Sequence, residues 1–227
     1  MKTESITRTV ALIPVFNEGE KIRAVVMATR FYVDRIVVCD DGSTDDTGEV
    51  LDSLDVDVIR HNENQGYGSA LVSLFKYSID MGAEYAVTID GDGQHDPIYI
   101  HELIEPIRKG DSDIVIGSRF MENMRQAPWV KIQGIKLLNA LLSWGVGLKL
   151  TDSQSGYRAY RVSKLAPENL EDTGMGISTE ILIKAEKNGL KITEIPVQIK
   201  YYDKIEYISL LRHGYRVLVS TLKNLGK

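Results

Sequence analysis

Short apolar runs recur through residues 1–120, each stopping at a polar loop and each followed by a helical stretch, and no other feature restricts the fold so tightly. Val10 to Val15 leads into the turn-forming Asn17-Glu18-Gly19 and a helix from about Glu20 to Thr29. Ile36-Val37-Val38-Cys39 ends in Asp40-Asp41-Gly42-Ser43-Thr44-Asp45, where Ser43 or Thr44 is expected to cap a helix running to about Leu54. A third strand covers Val56 to Arg60, and Asn62 to Ala70 opens a helix reaching about Met81. The run from Tyr85 to Ile89 is the fourth strand, with a helix from roughly Tyr99 to Lys109, and Ile114 to Gly117 is the fifth. Alternation of this kind predicts an α/β fold: a mostly parallel central sheet with helices on both faces. The carboxyl ends of parallel strands share one edge, the edge where such sheets bind ligands. Asn17, Asp41, Asp92 and Arg119 are all expected there.

The fourth run carries the most chemistry. It stops at Asp90-Gly91-Asp92-Gly93-Gln94-His95, in which Asp90, Asp92 and Gln94 offer oxygen at alternate positions. Hard divalent ions such as Mg2+ and Mn2+ prefer such donors, although Asp-Gly runs also serve as plain turns. His95 brings nitrogen to an oxygen site and is read as a supporting residue rather than a ligand. Gly66 and Gly68, opening a helix, let backbone donors approach a diphosphate or ribose. No Gly-x-Gly-x-x-Gly follows the first strand, which argues against a dinucleotide enzyme.

The formal net charge of -5 argues against nucleic acid as a partner, since phosphate neutralisation needs a basic surface. Cys39, the single cysteine, lies inside an apolar strand and reads as core rather than nucleophile. The N-terminus lacks the apolar stretch of a secretory signal, and no window approaches about 18 apolar residues, so a cytoplasmic chain without a transmembrane helix is expected.

Beyond Arg119 the character changes. Pro128 to Trp144 is apolar and cationic with two tryptophans, suited either to packing on the sheet or to a lipid interface, or to both on different faces. Asp152 to Arg161 turns into another strand, Ser178-Thr179-Glu180 precedes a helix to about Asn188, and Ile192 to Tyr202 alternates as a late edge strand. Tyr207 to Leu225 forms an amphipathic basic helix, a candidate for core packing or for docking on a membrane surface. One domain spanning 1–227 is expected from the length.

Taken in order, Pro14-Val15-Phe16-Asn17-Glu18, Asp40 to Asp45, Asn64 to Ala70, Asp90 to His95, Gly117-Ser118-Arg119-Phe120 and Asp152 to Arg158 resemble the family 2 glycosyltransferases with the GT-A fold, in particular the dolichyl-phosphate mannose synthase-like branch. The resemblance covers nearly the whole chain and implies a nucleotide-sugar half over 1–120 and an acceptor half over 121–227. It implies that Pro14, Asn17 and Glu18 border the nucleotide, that Asp41 accepts from the base, and that Gly66 and Ser155 join the substrate-binding set. It also implies that Asp90 lies near ribose and metal, that Asp92 and Gln94 ligate Mg2+ or Mn2+, and that Arg119 holds an acceptor phosphate. Where family members carry a further arginine this chain has Lys131, which keeps the charge without the bidentate fork.

The implied reaction is an inverting, metal-dependent transfer of mannose, glucose or GlcNAc from a GDP- or UDP-sugar to dolichyl or polyprenyl phosphate, with the protein peripheral on the cytoplasmic face of a membrane. Transfer to a glycan or lipid hydroxyl is the alternative. It needs a carboxylate base, with Asp96 or Asp152 as candidates. A nucleotide-sugar-binding subunit without activity is the reading from a different class.

Overall fold

The structure is a computed structural model that describes residues 8–121, 129–199 and 207–226. Its centre is a seven-stranded sheet built from β1 (Thr9–Val15), β2 (Arg35–Asp40), β3 (Asp57–Arg60), β4 (Tyr85–Thr88), β5 (Ile114–Ser118), β6 (Arg158–Arg161) and β7 (Ile192–Pro196). The strand order is β3-β2-β1-β4-β6-β5-β7. Every pairing is parallel except those of β6, which runs antiparallel between β4 and β5. The α/β architecture with a mostly parallel sheet is therefore present, with one reversed strand that the alternation did not reveal.

Alternation along β1 shows why helices cover both faces. Val10 and Leu12 point into a core shared with α3 (Tyr67–Asp80) and α6 (Ile177–Lys187), whereas Ala11, Ile13 and Val15 face α1 (Gly19–Thr29) and α4 (Ile100–Arg108). All seven residues of β1 are buried, as expected of a strand flanked on both sides and covered above and below. Cys39 is buried in the first of these cores. Burial, followed by the charges of Asp41 and Asp40, pushes its thiol up to about 12.

Several local expectations need correction. Neither Ser43 nor Thr44 caps the second helix: α2 covers Thr47–Asp52, stopping short of Leu54, and the Asp45 carboxylate accepts the Thr47 N–H at 3.0 Å. The Ser43 hydroxyl instead accepts the Asn17 N–H, and the Thr44 N–H donates to the Asn17 side chain, tying the β1 and β2 loops together. Asn17 is held at φ 56 by these bonds. Ser178, Thr179 and Glu180 do not precede α6 but lie within its first turn. The edge strand is β7 as expected, but it stops at Pro196. Ile199 makes one isolated bridge to His95, and residues 200–206 lie outside the described residues.

Two long helices close the second half. On α5 (Trp129–Val146), Ile135, Leu138 and Leu142 are buried while Trp144 is 82% exposed. On α7 (Tyr207–Leu225) the inward residues include Val217, Thr221 and Asn224, and Tyr215, Val219 and Leu222 face outward. Gly145 lets the two helices meet, since a Cβ there would lie 2.5 Å from the Leu225 side chain.

Candidate active site

The carboxyl edge of the sheet gathers the expected acids. Asp90 and Asp92 follow β4, adjacent to β1 and therefore to Pro14, Asn17 and Glu18. Gly91 permits the close approach, because a Cβ at that position would meet the Val15 side chain at 2.6 Å. The Tyr67 hydroxyl, from the start of α3, donates to Asp90 at 3.2 Å. Enclosure and the Asp90 charge push the Tyr67 phenol well above its ordinary value, so it remains a donor. His95 is buried, stacks on Tyr157 with ring centroids 4.9 Å apart, and its Nδ1 lies 3.7 Å from an Asp90 carboxylate oxygen. It lies behind Asp90, and burial pushes its imidazole below the ordinary value.

Two carboxylates this close oppose each other. Burial and the Asp90 charge push the Asp92 carboxyl up, although one oxygen accepts the Gln94 N–H at 2.9 Å. A divalent cation relieves that repulsion, and Asp90, Asp92 and the Gln94 amide oxygen have the chemistry for one. Among the described residues no three His, Cys, Asp or Glu side chains gather as a ready metal cage. Mg2+ is commonly held by one or two carboxylates plus substrate phosphates, so this donor set fits it.

Beside these acids lies a cavity of about 570 Å3, lined by Pro14, Phe16, Asp41, Asn64, Tyr67 and Arg216 among others. Asp41 is buried on its wall and already accepts three hydrogen bonds. They come from Gln65 N–H at 3.0 Å, Gly66 N–H at 2.8 Å and His61 Nδ1 at 2.6 Å. His61, absent from the sequence reading, is signalled there only as a histidine directly after the third strand. Its Nε2 lies 2.9 Å from the Ser73 hydroxyl.

The glycines of the third loop do different work from that expected. Gly66 has φ 98, and a Cβ there would lie 2.3 Å from the Thr173 carbonyl. Gly68 donates to the same carbonyl at 2.8 Å, and a Cβ on it would lie 2.1 Å from the Asp172 carbonyl. These glycines allow the 172–174 loop to pack against α3, and the N–H groups of Gly66 and Gly68 are spent on Asp41 and Thr173 rather than left open toward a diphosphate. The buried Glu180 carboxylate holds that loop by accepting the N–H groups of Glu171 and Asp172.

On the other side of β6, Arg119 forms a bidentate pair with Asp152 at 2.6 and 2.7 Å. Asp152 is fully buried and also accepts the Arg119 N–H. Arg119 is thus not a bare cation awaiting phosphate, and Asp152 is not an open base: it is fully buried and Arg119 occupies three of its about four acceptor positions. Glu194 fixes the same corner, accepting the N–H groups of Thr151 and Asp152. Asp96 accepts the Ile98 N–H and starts a short helical turn. Ser155 is fully buried, and its hydroxyl accepts the Tyr157 N–H, which makes it a loop support with no face toward solvent. Arg158, fully enclosed on β6, donates to the carbonyls of Ser153, Ser155 and Ser178. A lone arginine amid Tyr157, Ala159 and Tyr160 was the available sign of this clamp. The side chain of Lys131 lies outside the described residues.

Comparison with known proteins supplies the family. The profile described as glycosyl transferase family 2 matches residues 10–166. The chain is 34% identical over 215 residues to UDP-N-acetylglucosamine--dolichyl-phosphate N-acetylglucosaminyltransferase of Methanococcus voltae, covering 84% of each chain. It is 30% identical over 226 residues to dolichol-phosphate mannosyltransferase of Pyrococcus furiosus, covering 91% of this chain and 62% of that one. Among solved structures, glucosyl-3-phosphoglycerate synthase from Mycobacterium tuberculosis, crystallised with Mn2+, UDP and phosphoglyceric acid, aligns with a TM-score of 0.75. Identity is 19%, and the alignment covers 97% of this chain and 79% of that one, a likeness of fold.

Proposed function

The chain belongs to glycosyl transferase family 2 and is a glycosyltransferase of GT-A fold, and on that premise we propose that it transfers mannose, glucose or GlcNAc from a GDP- or UDP-sugar to a dolichyl or other polyprenyl phosphate. The observation that carries this reading is the run of acids and cavity along one sheet edge: Asp41 on the cavity wall, Tyr67 bridging to Asp90, and Asp92 beside it. Relatives whose names carry dolichyl or dolichol phosphate, from Methanococcus voltae and Pyrococcus furiosus, support the acceptor class.

In this reading Asp41 accepts from the donor's base, and Pro14, Asn17 and Glu18 border the nucleotide. Tyr67 and His95 hold Asp90 in place. Asp90, Asp92 and Gln94 would hold Mg2+ or Mn2+, which when bound neutralises charge on the departing diphosphate as a Lewis acid. A phosphate monoester has a second pKa of about 6 and is largely a dianion at neutral pH, so the acceptor arrives already deprotonated. The chain then needs no general base. Engagement of Asp152 by Arg119 favours this over transfer to a hydroxyl, for which Asp152 is unsuited. Arg119, with Lys131, orients the acceptor phosphate, and attack opposite the leaving group inverts the anomeric carbon to give a β-linked product.

A membrane-borne acceptor calls for a membrane-facing surface. Among the described residues no helix is long and apolar enough to cross a bilayer. Trp144 on α5 and Tyr215, Val219 and Leu222 on α7 are exposed, with Lys223 on the same outer face. This arrangement supports peripheral docking by shallow apolar burial and attraction to anionic lipid. The test is incubation with Mn2+, a short polyprenyl phosphate and a panel of UDP- and GDP-linked sugars, followed by product mass. A sugar-phosphate-lipid is the expected product. A glycoside formed only with hydroxyl acceptors would contradict the reading.

A further inference from the structure

The hydrogen bonding of Asp41 restricts which base its cavity accepts. A carboxylate offers about four acceptor positions, two on each oxygen. Oδ1 takes the Gln65 N–H at 3.0 Å and the His61 ring at 2.6 Å; Oδ2 takes the Gly66 N–H at 2.8 Å. Facing a carboxylate, His61 carries its proton on Nδ1, which leaves Nε2 to accept from the Ser73 hydroxyl at 2.9 Å. Oδ1 is then filled, and a single position remains on Oδ2. Guanine presents adjacent N1–H and N2–H donors, whose natural partner is both oxygens of one carboxylate. Uracil presents one ring N–H between two carbonyls. The same cavity is lined by Arg216, which only donates and has no hydrogen bond or ion pair among the described residues.

We infer that the donor is a uridine diphosphate sugar, its ring N–H accepted by the last open position of Asp41 and a neighbouring carbonyl served by the Arg216 guanidinium, with His61 excluding guanine by occupying the second carboxylate oxygen. This inference rests on the reading of the cavity as the donor site. His61 is a positioning residue: it touches no substrate and acts through Asp41. Arg216 gives α7, an element of the acceptor half, a part in recognising the donor.

The test is calorimetric titration of the intact protein with UDP, GDP and CDP in the presence of Mn2+. UDP is expected to bind at least about tenfold more tightly than GDP, because a buried guanine N–H without an acceptor loses a hydrogen bond's worth of affinity. His61→Leu, checked for an unchanged fold by circular dichroism, opens Oδ1 and should narrow the UDP/GDP ratio by about fivefold or more. A purely structural role for His61 would weaken both nucleotides alike and leave the ratio intact, overturning the inference. Arg216→Ala, on an exposed stretch of α7, should weaken UDP several-fold; unchanged UDP affinity would remove the guanidinium contact. Tighter binding of GDP or CDP by the unaltered protein overturns the uracil assignment while leaving the donor site in place. Failure of all three nucleotides to bind overturns the donor site itself, and the uracil assignment with it.

Discussion

Around Asp90 and Asp92 the site is made by loops that follow directly from their own strands, whereas around Arg119 it is made by partners far along the chain: Asp152 lies 33 residues away, and Glu194 a further 42 beyond Asp152. The two corners also differ in electrostatics. Asp90 and Asp92 repel each other without a cation, and Asp92 is pushed toward its neutral form. Arg119 and Asp152 satisfy each other inside the protein. The first corner holds strain that a cofactor and substrate can relieve, whereas the second already has its buried carboxylate paired as part of the fold. Substitutions at the first should therefore cost activity with little loss of stability. At the second they should cost stability as well.

The largest effect is expected at Asp92. Asp92→Asn should lower kcat by about 10^2- to 10^3-fold, the scale of losing one electrostatic contact to a developing charge. In chelator at pH 7 its Tm should equal or exceed that of the unaltered protein. The sign follows from linkage: a carboxyl raised in the folded state stabilises only when protonated, so the charged form is a burden at neutral pH. Any gain in Tm should fade as pH falls through the carboxyl range. A large drop in Tm at pH 7 would end the contrast between the corners.

Arg119→Met should destabilise the protein by about 3–5 kcal/mol, because it leaves the buried Asp152 carboxylate unpaired. Thermal denaturation would read this as a fall of roughly 6–20 °C. A fully stable variant defective only with the lipid acceptor would show the pair to be a binding device alone. A smaller effect is expected from Val219→Glu with Leu222→Glu, both on the outer face of α7. Sedimentation with anionic liposomes should weaken several-fold while Tm stays within about 1 °C, since both side chains are already about half exposed to water. The smallest effect belongs to Cys39: with its thiol pushed up to about 12, an alkylating reagent at pH 8 should leave the folded protein unmodified over hours.

The same contrast explains what could be read from the chain. The parallel strands and their acidic ends are local facts, each visible as an apolar run meeting Asp41 or Asp90. The reversed β6 is not, because its neighbours are chosen by partners such as Thr88, whose hydroxyl donates to the Gly156 carbonyl at 2.6 Å. Gly66 and Gly68 were legible as glycines required by close approach. What approaches them is the 172–174 loop, about a hundred positions later. Residue type suggested a phosphate cradle; the fold uses the same N–H groups to fix Asp41 and the loop. His61 and Arg158 escaped for a related reason, since each is fixed in part by a hydrogen bond to a residue 20 positions away, Asp41 for His61 and Ser178 for Arg158. Arg119 and Asp152 were each singled out, as phosphate anchor and as possible base, and only the structure joins them into one pair.

The central claim is that a donor corner and an acceptor corner cooperate to move a sugar onto a lipid phosphate. Its most direct test is release of nucleoside diphosphate from a UDP- or GDP-sugar with Mn2+, measured with and without a short polyprenyl phosphate. The account predicts release that rises at least tenfold when the lipid phosphate is added, scaling with its concentration and lost in Asp92→Asn. Release at the same rate without the lipid phosphate, or only with a hydroxyl acceptor, would contradict it.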